Sequence, residues 1–135
     1  MRQVPKILID FINHHDCFYI LGHREPDGDC IGSQLALASM LQSMGKRVHV
    51  LSSGPFNRIE ILRFEARFKS EVPSERDFER TAAIVLDCSS MERIGSCLLY
   101  TSDAAEDLLC VDIGGRRIIK KKIKKIKKIH DKYKT

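Results

Sequence analysis

Cys17-Phe18-Tyr19-Ile20-Leu21-Gly22-His23-Arg24-Glu25-Pro26-Asp27-Gly28-Asp29-Cys30-Ile31-Gly32-Ser33 is the stretch on which the fold turns. Its first five residues are aromatic, branched or otherwise apolar with no polar alternation, the pattern of a strand covered on both faces in a parallel sheet. Gly22 and His23 close that strand. A loop rich in Pro, Asp and Gly follows, and a helical pattern begins at Cys30. An apolar strand, a polar loop and a helix in immediate succession form the first half of a strand-helix-strand unit.

Working outward, Val4, Ile7, Leu8, Phe11 and Ile12 recur at three and four residues and predict an amphipathic helix from about Pro5 to His15. Proline suits its first turn. A second helix is predicted over Cys30 to Met44, with Ile31, Leu35, Ala38 and Leu41 on one stripe and Gly45 at its exit. Val48 to Leu51 follows as a strand, Ser52 to Pro55 as a turn, Ile59 to Phe68 as a helical segment and Ala82 to Leu86 as a third strand. Alternating strands and helices imply an α/β fold, a parallel sheet with flanking helices. Ligands of such sheets gather beyond the carboxyl ends of the strands, so chemistry is expected just after Leu21 and just after Leu86.

Those two places carry His23, Asp27 and Asp29 on one side and Asp87 on the other. An imidazole and three carboxylates supply one nitrogen and several hard oxygens, a mixture suited to Mn²⁺ or Mg²⁺ rather than to a thiolate-bound metal. Pro26 stiffens the loop, and Gly28 and Gly32 are expected where the backbone turns tightly. Ser33, near a helix start, offers a hydroxyl and amide donors to phosphate. Each residue also has an ordinary explanation: Asp and Gly are common in turns, and Asp29 alone would serve as a helix cap. An EF-hand loop starting at Asp27 is excluded, because Ile31 stands at its fifth position and Ala38 at its twelfth, where oxygen ligands belong.

A chain of 135 residues with 43% hydrophobic and 30% charged content is bounded to one globular domain and excludes a large multidomain enzyme. No apolar run reaches the roughly 18 residues a membrane span needs, and the start Met1-Arg2-Gln3-Val4-Pro5-Lys6 has no secretory character. The five cysteines, without a C-x-x-C pair, point to a reducing cytoplasm rather than to a disulfide framework or zinc ribbon. The net charge of +5 is unevenly placed: residues 1–96 sum to −1 and residues 97–135 to +6. The basic surplus is therefore a property of the last segment alone.

The spacing His23, Pro26, Asp27, Asp29, Gly32, Ser33, the helix exit Gly45-Lys46-Arg47-Val48, and Ile84-Val85-Leu86-Asp87 running on to Arg93-Ile94-Gly95 together resemble the DHH phosphoesterase family. The resemblance covers nearly all of residues 1–95, which would form part of a DHH domain. Within the family it is most similar to the bacterial nano-RNase and pAp-phosphatase branch, which degrades short RNA oligonucleotides and dephosphorylates 3′-phosphoadenosine 5′-phosphate, a nucleotide bisphosphate. RecJ-like exonucleases, cyclic dinucleotide phosphodiesterases and manganese pyrophosphatases are the alternatives inside the family. The resemblance implies that His23, Asp27, Asp29 and Asp87 are ligands of a two-ion Mn²⁺ centre, with Asp29 or Asp87 bridging and so catalytic. Arg93 becomes a candidate phosphate contact, its alternative being a surface ion pair. The family's Asp-His-His does not follow Asp87, and its later metal-binding Asp and glycine- and histidine-rich second domain are not found. His14-His15-Asp16 has the letters in the wrong order and reads as polar surface. Low activity of this chain alone, an open sheet edge beyond the third strand and poor folding are the expectations that follow.

The composition changes near Ser96. Cys97 to Glu106 resembles the translation of a transposon-end adapter used in sequencing libraries, and Val111 to Lys122 resembles a tail that often follows it in metagenomic sequences. Residues 96–135 are accordingly expected to be a non-native, low-complexity basic segment. Taken instead as protein, the run reads as a solvated, unstructured stretch or, since Ile119, Ile123, Ile126 and Ile129 stand at helical spacing, as a basic amphipathic helix that would bind nucleic acid or an anionic surface.

Overall fold

The computed structural model describes residues 3–71, 80–86 and 107–111, and the backbone of 118–122. The elements are α1 (Lys6–His14), β1 (Cys17–Leu21), α2 (Gly28–Ser43), β2 (Arg47–Leu51), a 3-10 helix (Ile59–Arg67), β3 (Thr81–Leu86), β4 (Asp107–Val111) and β5 (Ile118–Lys122). They build one sheet in the order β2-β1-β3-β4-β5. The first four strands are parallel and β5 runs antiparallel to β4. The α/β class and the first three strands stand where the apolar runs put them, with β1 and β3 buried throughout except for the half-buried Leu86.

Helix ends follow local chemistry. The Pro5 carbonyl accepts from the Leu8 and Ile9 amides and opens α1. At the exit of α2, Gly45 takes a φ of 81°. That left-handed residue lets the Lys46 amide reach Leu41 O and the Gly45 amide reach Gln42 O, each at 3.0 Å, the double bond that ends a helix without orphan carbonyls. One face of the sheet packs Phe18, Ile20, Ala82, Ile84 and Leu109 against Phe11 and Ile12 of α1 and Ala38 and Leu41 of α2. Both helices therefore cover the same face. The alternate residues Tyr19, Ala83, Val85 and Leu108 are buried as well, as a two-sided parallel sheet requires.

Three expectations are corrected. The open edge beyond β3 does not occur, since β4 pairs with it from Ala82↔Asp107 to Leu86↔Val111. The carboxyl end of the outer β2 edge is paired too, the Ser52 amide donating to Lys69 O and the Lys69 amide to Val50 O, each at 3.0 Å. Within the Lys/Ile segment, Ile118–Lys122 is a strand rather than a helix, because β4 offers an unpaired ladder; residues 123–135 lie outside the described residues. His14-His15-Asp16 is not uniformly polar surface. His14 is exposed, but His15 is fully buried, its Nδ1 donating to Phe11 O at 2.7 Å and its Nε2 lying 2.8 Å from Asp107 Oδ2. Asp16 ties the strand starts together: its amide donates to Arg80 O and its carbonyl accepts from the Arg47 amide. The Arg80 guanidinium bonds both Asp16 carboxylate oxygens, at 2.5 and 3.1 Å, and holds that carboxyl below the usual carboxylate range.

Removing one member of a buried hydrogen-bonded pair strands the other. His15→Ala is expected to cost about 3 kcal/mol in denaturant unfolding, clearly more than Asp16→Ala at the exposed Arg80 pair. Equal losses would show that the His15 to Asp107 contact does not anchor β4.

Candidate metal centre

The chain leaves β1 toward β2 on one side and returns for β3 on the other. The boundary between β1 and β3 is therefore the switch point of the sheet, and loops leaving the two strands diverge there to open a crevice. The β1 exit, residues 22–27, occupies this place.

Within that loop Glu25 has a φ of 52°, uncommon for a residue with a side chain. Its amide donates to Gly54 O at 3.0 Å, so the exit of β2 holds the loop in this shape. His23 is buried, and its Nδ1 lies 2.8 Å from Arg24 O. A carbonyl only accepts, so Nδ1 carries the proton, and in the neutral ring Nε2 carries the lone pair, the arrangement seen for metal-binding imidazoles. Nε2 is 3.8 Å from Asp27 Oδ1, too far for a hydrogen bond. Two donors that each sit about 2.1 Å from one small cation can stand up to about 4.2 Å apart, so this spacing admits an ion between them.

Asp27 is also the N-cap of α2. Its Oδ1 accepts from the Cys30 amide at 2.9 Å, and its carbonyl accepts from the Ile31 amide at 3.1 Å. The cap expected at Asp29 thus belongs to Asp27, because the helix starts at Gly28, two residues before the predicted start at Cys30. Asp29 is exposed in the first turn of α2, where the positive end of the helix favours an anion. Ser33 is exposed on α2, but as the sixth helical residue its amide belongs to the internal ladder, leaving the hydroxyl as its donor. Asp87 and Arg93 lie outside the described residues. Of the four expected ligands the structure brings His23 and Asp27 together and places Asp29 on the adjoining helical turn. Among the described residues no three His, Cys, Asp or Glu side chains form a metal-holding group. The donor chemistry, an oriented imidazole facing a carboxylate, fits a hard divalent cation.

Two features escape the sequence. Gln34 is fully buried, and its Nε2 donates to Ile20 O at 3.1 Å and to Leu51 O at 3.0 Å, while the Cys30 thiol lies 3.4 Å from its Oε1. A glutamine in a helix carries no signal of this; only the nearness of two strand ends reveals it. The glycine under steric pressure is Gly22, where a Cβ would stand 2.3 Å from Cys30 Sγ and 2.8 Å from Gln34 Oε1. Gly28 and Gly32, expected at tight turns, lie in α2 with open space around them.

The DHH family, N-terminal domain, matches residues 17–133. The chain belongs to the DHH family. It is similar to the bifunctional oligoribonuclease and PAP phosphatase NrnA of Mycoplasma pneumoniae, 30% identical over 105 residues that make up 77% of this chain and 32% of that protein. Its fold is like that of an exopolyphosphatase-related protein from Bacteroides fragilis, with a TM-score of 0.62 and 22% identity, covering 78% of this chain and 33% of the other. The chain thus spans about a third of the length of the relatives it matches. In this DHH domain no helix among the described residues is long and apolar enough to cross a membrane.

The steric contrast between glycines is testable by thermal or denaturant unfolding. Gly22→Ala should destabilise the DHH domain by about 1–3 kcal/mol, as overpacking does, and adding Cys30→Ala should recover part of the loss. Gly32→Ala, inside a helix with room to spare, should gain about 0.5–1 kcal/mol. A neutral Gly22→Ala would show that the β1 exit does not press on α2.

Proposed function

We propose that this chain carries part of the metal site of a DHH phosphoesterase that hydrolyses short oligoribonucleotides, 3′-phosphoadenosine 5′-phosphate, or both. The observation that carries the reading is the pair formed by His23 and Asp27, a tautomer-fixed imidazole 3.8 Å from a helix-capping carboxylate at the switch point of the sheet. The substrate class is taken from the relative named an oligoribonuclease and PAP phosphatase.

In this reading His23, Asp27, Asp29 and Asp87 would hold Mn²⁺, or Mg²⁺ in its place, with Asp29 and Asp87 as the catalytic carboxylates. Bound there, the metal would supply a hydroxide from water at neutral pH and neutralise charge on a phosphoryl oxygen. The chain's own groups do the positioning. The Cys30 amide fixes Asp27, and the Arg24 carbonyl fixes the His23 ring. The start of α2 presents its positive end to the anionic substrate. The Ser33 hydroxyl and the Arg93 guanidinium are the proposed phosphate contacts. Four ligands are few for two ions, so this chain alone is proposed to be weakly active or inactive. A reducing, cytoplasmic setting is part of the same reading, supported by the odd set of five cysteines with no C-x-x-C pair in the sequence.

Asn caps helices about as well as Asp but is neutral. Asp27→Asn should therefore keep the unfolding midpoint of this chain while weakening Mn²⁺ binding by tenfold or more in calorimetric titration. In the protein encoded by the complete source locus, the same change should abolish hydrolysis of short oligoribonucleotides. Unchanged Mn²⁺ affinity in Asp27→Asn would sink the site assignment.

Residues 96–135 are proposed to be a separate, non-native segment, on the strength of the shift from a net charge of −1 to +6 and the low-complexity Lys/Ile run. The family match to residue 133 and the pairing of β4 with β3 argue the other way. Resequencing the source locus across the Ser96 codon should restore a frame that runs on to Asp-His-His. An intact frame through the Lys/Ile run would overturn this boundary and make nucleic-acid or anionic-surface binding by the tail the property to measure.

A further inference from the structure

We propose that Gln34 is the positioning residue of the metal site: one buried side-chain amide that sets the β1 exit, the β2 exit and the start of α2 relative to one another. The proposal rests on the metal-site reading above for its consequence, but its geometry stands apart from it.

Three contacts converge on this side chain. Its Nε2 spans Ile20 O and Leu51 O, the backbone acceptors beside the last residue pair of the β1 and β2 ladder, Leu21↔Leu51. Its Oε1 faces the Cys30 thiol one turn earlier on α2. Cys30 in turn donates its amide to Asp27 Oδ1. A short chain of contacts thus runs from two strand ends through Gln34 and Cys30 to the carboxylate that faces His23. The absent side chain at Gly22 belongs to the same arrangement, since a Cβ there would fall on both Cys30 Sγ and Gln34 Oε1. The β2 exit is included as well, because Gly54 O accepts from the Glu25 amide and so couples residues after Leu51 to the His23 loop.

A core residue that merely stabilises the domain would lower global stability and leave the site's local order alone. Gln34 is expected to do otherwise. With two donors facing two backbone carbonyls, no other uncharged side chain of the same length replaces it: Met fills the volume but leaves Ile20 O and Leu51 O without the amide, and Glu keeps the shape but has at most one proton to donate.

The test compares Gln34→Met and Gln34→Glu with Leu41→Ala, a change in the buried core of the same helix near its far end. Native-state hydrogen exchange of the Cys30 amide is read on each folded variant after correction for its global stability. Mn²⁺ affinity is measured by titration with the metal alone. Exchange at Cys30 should be accelerated about tenfold or more in both Gln34 variants and unchanged in Leu41→Ala. Mn²⁺ affinity should fall about 10–100-fold in the Gln34 variants only, the range for loss of groups that orient metal ligands. If Gln34→Met does not fold, Gln34→Glu carries the comparison. Exchange and affinity in the Gln34 variants that merely track those of Leu41→Ala would overturn the proposal. Wild-type chain that binds no Mn²⁺ would count against the metal reading, while the exchange comparison would still decide the role of Gln34.

Discussion

Backbone carbonyls at the ends of parallel strands pose a demand that the rest of this molecule is arranged around. Inside a sheet each one is answered by the neighbouring ladder, but the β1 and β2 ladder ends at Leu21↔Leu51, and the residues at its end are buried. An unanswered buried carbonyl costs roughly 1–3 kcal/mol. The answer is a side chain from α2, so the helix must start close above the strand ends and at a fixed height. That requirement accounts for glycine at position 22, for the immediate turn into the loop, and for the helix cap falling on Asp27. A backbone problem of the sheet thus dictates where the candidate ligands stand.

The two ends of the sheet are treated differently. At the amino ends of the strands the polar groups are consumed internally: His15 by Phe11 O and Asp107, Asp16 by Arg80 and by backbone of both neighbours, and Lys46 Nζ by His15 O. Groups so paired stabilise, and they offer nothing to a ligand. At the carboxyl ends, His23 and Asp27 face each other at a distance that no hydrogen bond closes, with the exposed Asp29 and Ser33 on the adjoining helix. Fold economy and chemistry are separated along the strand direction, as in open parallel sheets generally.

Much of this was legible because it is written in local periodicity. Cys17 to Leu21 needs only its unbroken apolarity to be read as a two-sided strand, and the α2 stripe Ile31, Ala38 and Leu41 is buried as its spacing requires. The place of His23 and Asp27 at the β1 exit was legible because the apolar run ends immediately before them. What was not legible depends on contacts between distant residues. His15 looks like surface beside His14 and Asn13, and it is buried only because Asp107 arrives on a strand 92 residues later. Gln34 sits among helical letters with nothing to distinguish it from a solvated polar position. The glycines were misread for the same reason: crowding at Gly22 comes from Cys30 and Gln34, while Gly28 and Gly32 lie open.

Asp27 shows how one carboxylate can serve as a helix cap and as a candidate ligand without a conflict between the two. A buried ligand carboxylate would ordinarily pay a desolvation cost with no structural return, and selection for stability would act against it. Here one oxygen accepts the Cys30 amide at the start of α2, so the same carboxylate that faces His23 also caps the helix. The side chain remains 40% exposed, which leaves solvent access to the group. Its geometry is set by the helix start rather than by a flexible loop, and the His23 ring opposite is held by a backbone carbonyl. Both donors are therefore oriented by contacts that the fold makes for its own stability, and a cation entering between them would find little left to reorganise.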